Sequence, residues 1–279
     1  MLAVALGLAA SVSWGVADFL GGLKSRTLEL LAVLIFSQGV GFAVIVAIVT
    51  ARGEGAPDGT HVLYACLSGV AGIVGLAAFY RGLAVGAMTV VAPISGMAAA
   101  LPVTFGLISG ERPAAFQAAG IVVAIAGVVL ASRERPAEGG SSRVATGAGL
   151  ALLSALGFGG FFVAMDAASE RDVLWAGLFN RATSLGILVA AALALRPRLA
   201  VGLQDVRVLV SIGALDIAAN VLFAGASTEG LVSLVAVLAS LYPVVTILLA
   251  WVVLGERVQR VQRYGVAAVL AGVALISAG

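Results

Sequence analysis

Long apolar stretches broken by short polar turns dominate the pattern of this chain. Ten of them, at 2–22, 30–50, 62–82, 86–108, 114–132, 145–168, 173–195, 208–228, 230–254 and 261–278, are mostly apolar. Each holds roughly 20 residues, enough to cross a bilayer as a helix at ~1.5 Å per residue. The runs do not alternate and far exceed the ~10 residues of a barrel strand, so a β-barrel is excluded. Gly, Pro and charge punctuate the turns, as in ARGEGAPDGTH at 51–61 and RPRLAVGLQD at 196–205. The most polar interruption, SRERPAEGGSSR at 132–143, falls near the centre. A linker over 134–144 is therefore predicted, between a first half at 1–133 and a second at 145–279. The fold class this predicts is all-α: a polytopic membrane protein with ten transmembrane helices.

The two halves repeat each other. At an offset of 145 residues, Ser95 meets Ser240, and the triplet Gly110, Glu111, Arg112 meets Gly255, Glu256, Arg257. Gln117 then meets Gln262, Gly120 meets Gly265, and Ala126-Gly127-Val128 meets Ala271-Gly272-Val273. Each Gly-Glu-Arg triplet marks the turn between the fourth and fifth helix of one repeat. Five helices is an odd number, so the second repeat enters from the opposite side of the membrane. Two inverted five-helix repeats are an architecture of many secondary transporters.

Composition agrees with lipid as the solvent: 61% of the 279 residues are hydrophobic and 11% charged, with a mean hydropathy of +1.13. Soluble domains carry about 25% charged residues. A net charge of +2 with no basic cluster gives no reason to expect nucleic acid. Cys66 is the single cysteine, which excludes a disulfide framework and a cysteine metal pair. The segment from Met1 to Leu23 lacks a basic leading region and runs into further apolar segments, so it is expected to stay as a helix. There is no phosphate-binding Gly loop followed by Lys, no carboxylate cluster with metal spacing and no supported Ser or Cys nucleophile. The expectation is no enzyme, no metal, no cofactor and no ATP drive.

Charged groups inside the apolar runs carry the functional reading, because each costs about 2.5–3.5 kcal/mol at mid-membrane. Arg181 lies about eight residues, ~12 Å, inside helix seven, and Asp216 sits near the middle of helix eight. Two readings fit: a buried ion pair that braces the helices, or groups that meet substrate or protons in a central cavity. They are compatible if substrate competes for the pair. Asn220 lies one turn from Asp216, extending a small-and-polar stripe that begins at Gly213. Helix one carries a second stripe of Gly7, Ser11, Trp14 with Gly15, Asp18 and Gly22. Its glycines suit close helix packing. Trp14 and Asp18 do not, and are candidate gate or pathway residues, with Asp18 about one turn from the helix end in reach of water. Gln38 and Asn180–Arg181 hold similar places in helices two and seven, which favours a shared cavity lining. Tyr80, Arg81 and Tyr242 are expected at interfaces or helix ends. Glu111 and Glu256 are expected to be structural, capping a helix or pairing with the adjacent Arg. His61, the single histidine, falls in a polar loop, so no histidine proton relay is expected.

SLYPVVTILLAWVVLGERVQRVQRYGVAAVLAGVALIS at 240–277 resembles the ninth and tenth helices of EamA-type transporters in the drug/metabolite transporter superfamily. FYRGLAVGAMTVVAPIS at 79–95 and SGERPAAFQAAGIVVAIAGVVLAS at 109–132 resemble the matching part of the first repeat. The chain departs from that pattern at Ala98, opposite Pro243, and at Gln38, where a basic residue is usual. The resemblance implies a secondary transporter in the cell (cytoplasmic or inner) membrane. It would move a small polar organic solute by alternating access, with export the commoner direction. An amino acid, a related metabolite or a drug-like compound are the expected classes, and Arg181 with Asp216 could match a zwitterion. Proton coupling through Asp18 or Asp216, exchange, or no coupling all remain open. A membrane scaffold or receptor without transport is the rival reading, and an intramembrane enzyme a distant third. Of the 16 Lys and Arg residues, Arg181 is inside the membrane. Three (Arg52, Arg112 and Arg171) lie on the side of the N-terminus and the other twelve on the opposite side. The positive-inside rule then places both termini outside, whereas the resemblance implies termini in the cytoplasm.

Overall fold

The computed structural model describes residues 1–57, 59–85, 91, 95–131, 141–254 and 260–278. All regular structure among the described residues is helical. The first half contains α1 (Leu2–Lys24), α2 (Leu30–Arg52), α3 (Gly59–Val85), α4 (Ala100–Ile108, preceded by a 3-10 turn at Met97–Ala99) and α5 (Ala115–Ala131). The second contains α6 (Ser141–Ser169), α7 (Val173–Leu195), α8 (Leu203–Thr228), α9 (Val232–Ala239), α10 (Tyr242–Leu254) and α11 (Arg260–Ala278). Among the described residues, six helices are long and apolar enough to cross a membrane, and shorter apolar helices accompany them. The protein is a multi-pass integral membrane protein.

One predicted helix is broken. The run at 230–254 splits into α9 and α10 at Ser240–Leu241. Pro243 accounts for the split, because it lacks the N–H that would bond the carbonyl of Ala239 and its ring crowds that carbonyl. The chain tightens there instead, with the Leu241 amide donating to the Leu238 carbonyl. In the first half the described part of 86–108 is also interrupted, by the 3-10 turn at Met97–Ala99 that follows helical residues at Val91, Ser95 and Gly96. Residues 86–90 and 92–94, most of the linker and the second triplet (Gly255, Glu256, Arg257) lie outside the described residues.

Contacts at the helix ends fix their alternation. Lys24 at the end of α1 pairs with Asp205 in the first turn of α8 at 2.6 Å. On the opposite face, Arg52 at the end of α2 pairs with Asp172 at 2.8 Å. Asp172 also caps α7, accepting from the amides of Leu174 and Trp175 at 2.9 and 3.0 Å. The long helices then pack in a recurring scheme: α1 on α8, α3 on α6, α2 on both α7 and α8, α7 on α3, and α5 on α11.

Glycine makes the tightest crossings possible. A Cβ at Gly213 would overlap the carbonyl of Ser37, so α8 meets α2 backbone against backbone. Gly7 and Gly15 of α1 lie likewise against Leu238 and against Val245 with the Tyr242 carbonyl. Lipid gives helices no hydrophobic reason to associate, so such close fits supply much of the cohesion. The Gly-Glu-Arg turn at 110–112 works differently. Gly110 adopts φ 97°, a left-handed conformation that ends α4, and Glu111 then turns back. Its Oε1 accepts the amide of Val232 at 2.9 Å, capping α9 in the other half. Arg112 is exposed, so Glu111 acts as a cap.

Candidate functional site

The polar stripes of the apolar helices converge on one cavity of about 60 Å³, lined from both halves by α1, α2, α3, α6, α7, α8 and α10. That space admits water, which needs only ~10–15 Å³. The seven candidates for a substrate site or pathway, Trp14, Asp18, Gln38, Asn180, Arg181, Asp216 and Asn220, all line it.

Asp216 is the hub. Its Oδ2 meets Arg181 Nη1 at 2.7 Å and accepts from Gln38 Nε2 at 3.0 Å. Its Oδ1 accepts from the Trp14 indole at 3.1 Å. Arg181 Nη1 also donates to the Gln38 side-chain carbonyl. Asn220 bonds back to the Asp216 backbone carbonyl at 2.6 Å, one turn along α8. Four helices, α1, α2, α7 and α8, are thereby tied through a single carboxylate. The network is asymmetric in access: the Arg181 side chain is 3% exposed and the Asp216 side chain 16%. Arg181 Nε and Nη2 are buried without a hydrogen-bond partner among the described residues. Each such orphaned donor costs about 1–3 kcal/mol.

Asn180 turns to α3, donating to Ser68 Oγ at 2.8 Å, while Ser184 donates to the Gly69 carbonyl at 3.0 Å. Together they hold α7 against α3. A Cβ at Gly69 would overlap the Asn180 carbonyl, at 2.5 Å from its oxygen, so this crossing also requires glycine.

Asp18 stands apart from that network. It is buried, at 8% exposed, rather than bathed at a helix end, because α1 continues to Lys24 and packs against the other helices. The Tyr80 hydroxyl donates to its Oδ1 at 3.4 Å. Tyr80 and Tyr242 are likewise buried inside the bundle, at 2% and 4% exposed, not at interfaces, although Tyr242 does stand at a helix end as the first residue of α10. Tyr242 stands edge-on to Phe79 and Phe158 at 6.2 Å and lines the cavity. Arg81, by contrast, is exposed.

The walls are aromatic. Trp14 packs edge-on against Phe161 at 5.8 Å and near Phe162 and Phe223, whose rings lie 4.7 Å apart. Phe158, Phe161 and Phe162 line the cavity, and no signal in the sequence marks them, since they sit in runs of equally apolar neighbours. No group of three or more metal-ligating residues occurs among the described residues.

Comparison with known proteins agrees with this architecture. The model of the EamA-like transporter family matches residues 1–133 and again 145–278. No curated protein matches the chain. A solved structure described as "Crystal structure of protein" superposes with a TM-score of 0.78 at 20% identity, covering 98% of this chain and 95% of that one. At that identity the likeness concerns the fold.

Proposed function

The chain belongs to the EamA-like transporter family, and from that premise we propose that it is a secondary transporter of a small polar organic solute. The solute is an amino acid, a related metabolite or a drug-like compound, moved out of the cell across the cytoplasmic (inner) membrane by alternating access. Members of the family are transporters rather than enzymes. The observation that carries the reading is the cavity itself, in which Asp18, Arg181 and Asp216 are gathered inside a largely apolar bundle. Ionisable groups held at such cost within a membrane line substrate or ion routes.

Two features support an inverted pair of five-helix repeats. The packing of α1 on α8 corresponds to that of α6 on α3, and α2 on α8 to α7 on α3, as a pseudo-two-fold exchange of halves requires. The broken stretch at Ser240–Leu241 also falls at the repeat equivalent of Ser95–Gly96, next to the 3-10 turn. Interrupted helices of this kind flank transporter binding sites. Rocking of one half against the other would expose the cavity to each side in turn. Proton coupling through Asp18 or Asp216 fits the same cavity.

The test is transport by the purified protein in proteoliposomes loaded with pooled metabolites, followed by identification of the solutes lost. A second measurement labels single cysteines placed at cavity positions such as Gly72 and Asn220 from either side. A transporter exposes the same positions to both sides in turn. A scaffold or receptor moves no solute and labels from one side at most.

A further inference from the structure

Resting on the cavity as solute route, we propose that Asp18 receives a positively charged nitrogen of the solute. Within the classes proposed above, this narrows the solute to an organic amine with an apolar or aromatic body, rather than an amino acid with a free carboxylate.

Charge pairing in the cavity is incomplete. Of the three charged residues that line it among those described, Asp216 and Arg181 pair with each other at 2.7 Å. Asp18 has no cation within ion-pair distance among the described residues, and its hydrogen bond from Tyr80 is long at 3.4 Å. A carboxylate 8% exposed inside an apolar bundle is costly without a counter-charge. The partner is then a cation that comes and goes: a proton when the cavity is empty, and the charged nitrogen of the cargo when it is filled.

Among the described residues the cavity offers a solute carboxylate no open guanidinium edge for two-pronged pairing. Arg181 offers none: Nη1 is committed to Asp216 and Gln38, while Nε and Nη2 are sealed within the protein, Nε beside Gly41. The zwitterion match suggested by the sequence therefore fails at its anionic end, because Asp216 and Arg181 consume each other's charge.

The walls suit an amine as well. Trp14 lies one turn from Asp18 on the same face of α1, and its indole is fixed by the bond to Asp216. Phe158 and Tyr242 complete an aromatic surround. Electron-rich ring faces beside a carboxylate recognise ammonium groups and favour an aromatic body.

The experiment is equilibrium binding of radiolabelled phenethylamine, phenylalanine and phenylacetate to the full chain in proteoliposomes. Phenethylamine is expected to bind about tenfold or more tighter than phenylalanine, and phenylacetate not at all. Asp18→Asn, which keeps the shape and the bond from Tyr80, should lose amine binding by at least about tenfold with an unchanged melting temperature. Should Asp18→Asn not fold, Asp18→Glu keeps the charge one methylene further out and should shift preference from phenethylamine to the shorter benzylamine. Equal or tighter binding of phenylalanine or phenylacetate overturns the proposal, as does undiminished amine binding by Asp18→Asn or an unchanged length preference in Asp18→Glu. The two readings fail separately. If pooled solutes cross the vesicle membrane while the amine does not bind, transport stands and the amine site falls. If the amine binds through Asp18 but no solute crosses, the site stands and transport falls.

Discussion

Glu111 Oε1 accepts the backbone amide of Val232 at 2.9 Å, so a turn in the first half caps a helix in the second. Helix N-termini leave amides without partners, and exposing them to lipid is costly. Glu111→Ala is expected to lower stability by about 0.5–2 kcal/mol, the usual worth of an N-terminal cap. Glu111→Gln keeps an acceptor oxygen and should lose much less. Thermal unfolding of the two variants in detergent checks this, and equal losses would show that charge, not capping, is what matters.

The crossing of α2 and α8 is equally open to test. A Cβ at Gly213 would overlap the Ser37 carbonyl, a backbone atom that cannot swing aside. Gly213→Ala should force the helices apart and stretch the bond from Gln38 to Asp216, which lies one turn away. Loss of expression and of melting temperature is expected, by an amount typical of overpacking, about 1–3 kcal/mol. Gly39→Ala, on α2 but with open space where its Cβ would stand, is the control and should be silent.

Topology can be read with a reporter. The positive-charge count puts twelve loop Lys and Arg residues on the side away from the termini and three on their side. A reporter fused after Gly279 should therefore work only when it functions outside the cytoplasm. Activity confined to a cytoplasmic reporter would show that the loop charges do not set the topology.

The course of the chain was legible because lipid imposes it. Every spanning backbone group must bond within its own helix, so long apolar runs become helices with little ambiguity. Arg181 and Asp216 were legible for a related reason, since a charge inside such a run demands a partner. The aromatic wall was not. Phe158 and Phe161 face the cavity while Phe105 and Phe116 face outward, yet all four sit in equally apolar surroundings in sequence. In a membrane both faces of a helix are apolar, and hydropathy cannot tell lipid from pocket. The same blindness misplaces Tyr80: a tyrosine near a run's edge suits an interface, and here tertiary packing turns it inward. The break at Ser240–Leu241 has a signal in Pro243, outweighed by the length of the apolar run.

Brace and pathway can be separated at the Arg181–Asp216 pair. Asp216→Asn leaves the Arg181 charge buried at 2% exposure without a counter-ion, and Arg181→Met leaves Asp216 in the converse state. Losing one partner of a buried pair costs about 3–5 kcal/mol, whereas replacing both with neutral groups of similar volume is close to neutral. Each single variant should therefore express poorly. The double variant should recover, because the amide introduced in place of the Asp216 carboxylate still offers an oxygen to the Trp14 indole, whose bond to Asp216 is 3.1 Å. Melting temperature close to wild type in the double variant is the expected sign of that recovery. Transport should not return with it. The ion pair also holds Gln38 and Trp14 in register around the cavity, and neutral replacements leave that wall without the charges that set the field at Asp18. A well-folded double variant that transports at the wild-type rate would reduce Arg181 and Asp216 to a brace between α7 and α8, and would leave Asp18 as the charge in the cavity on which movement of the solute depends.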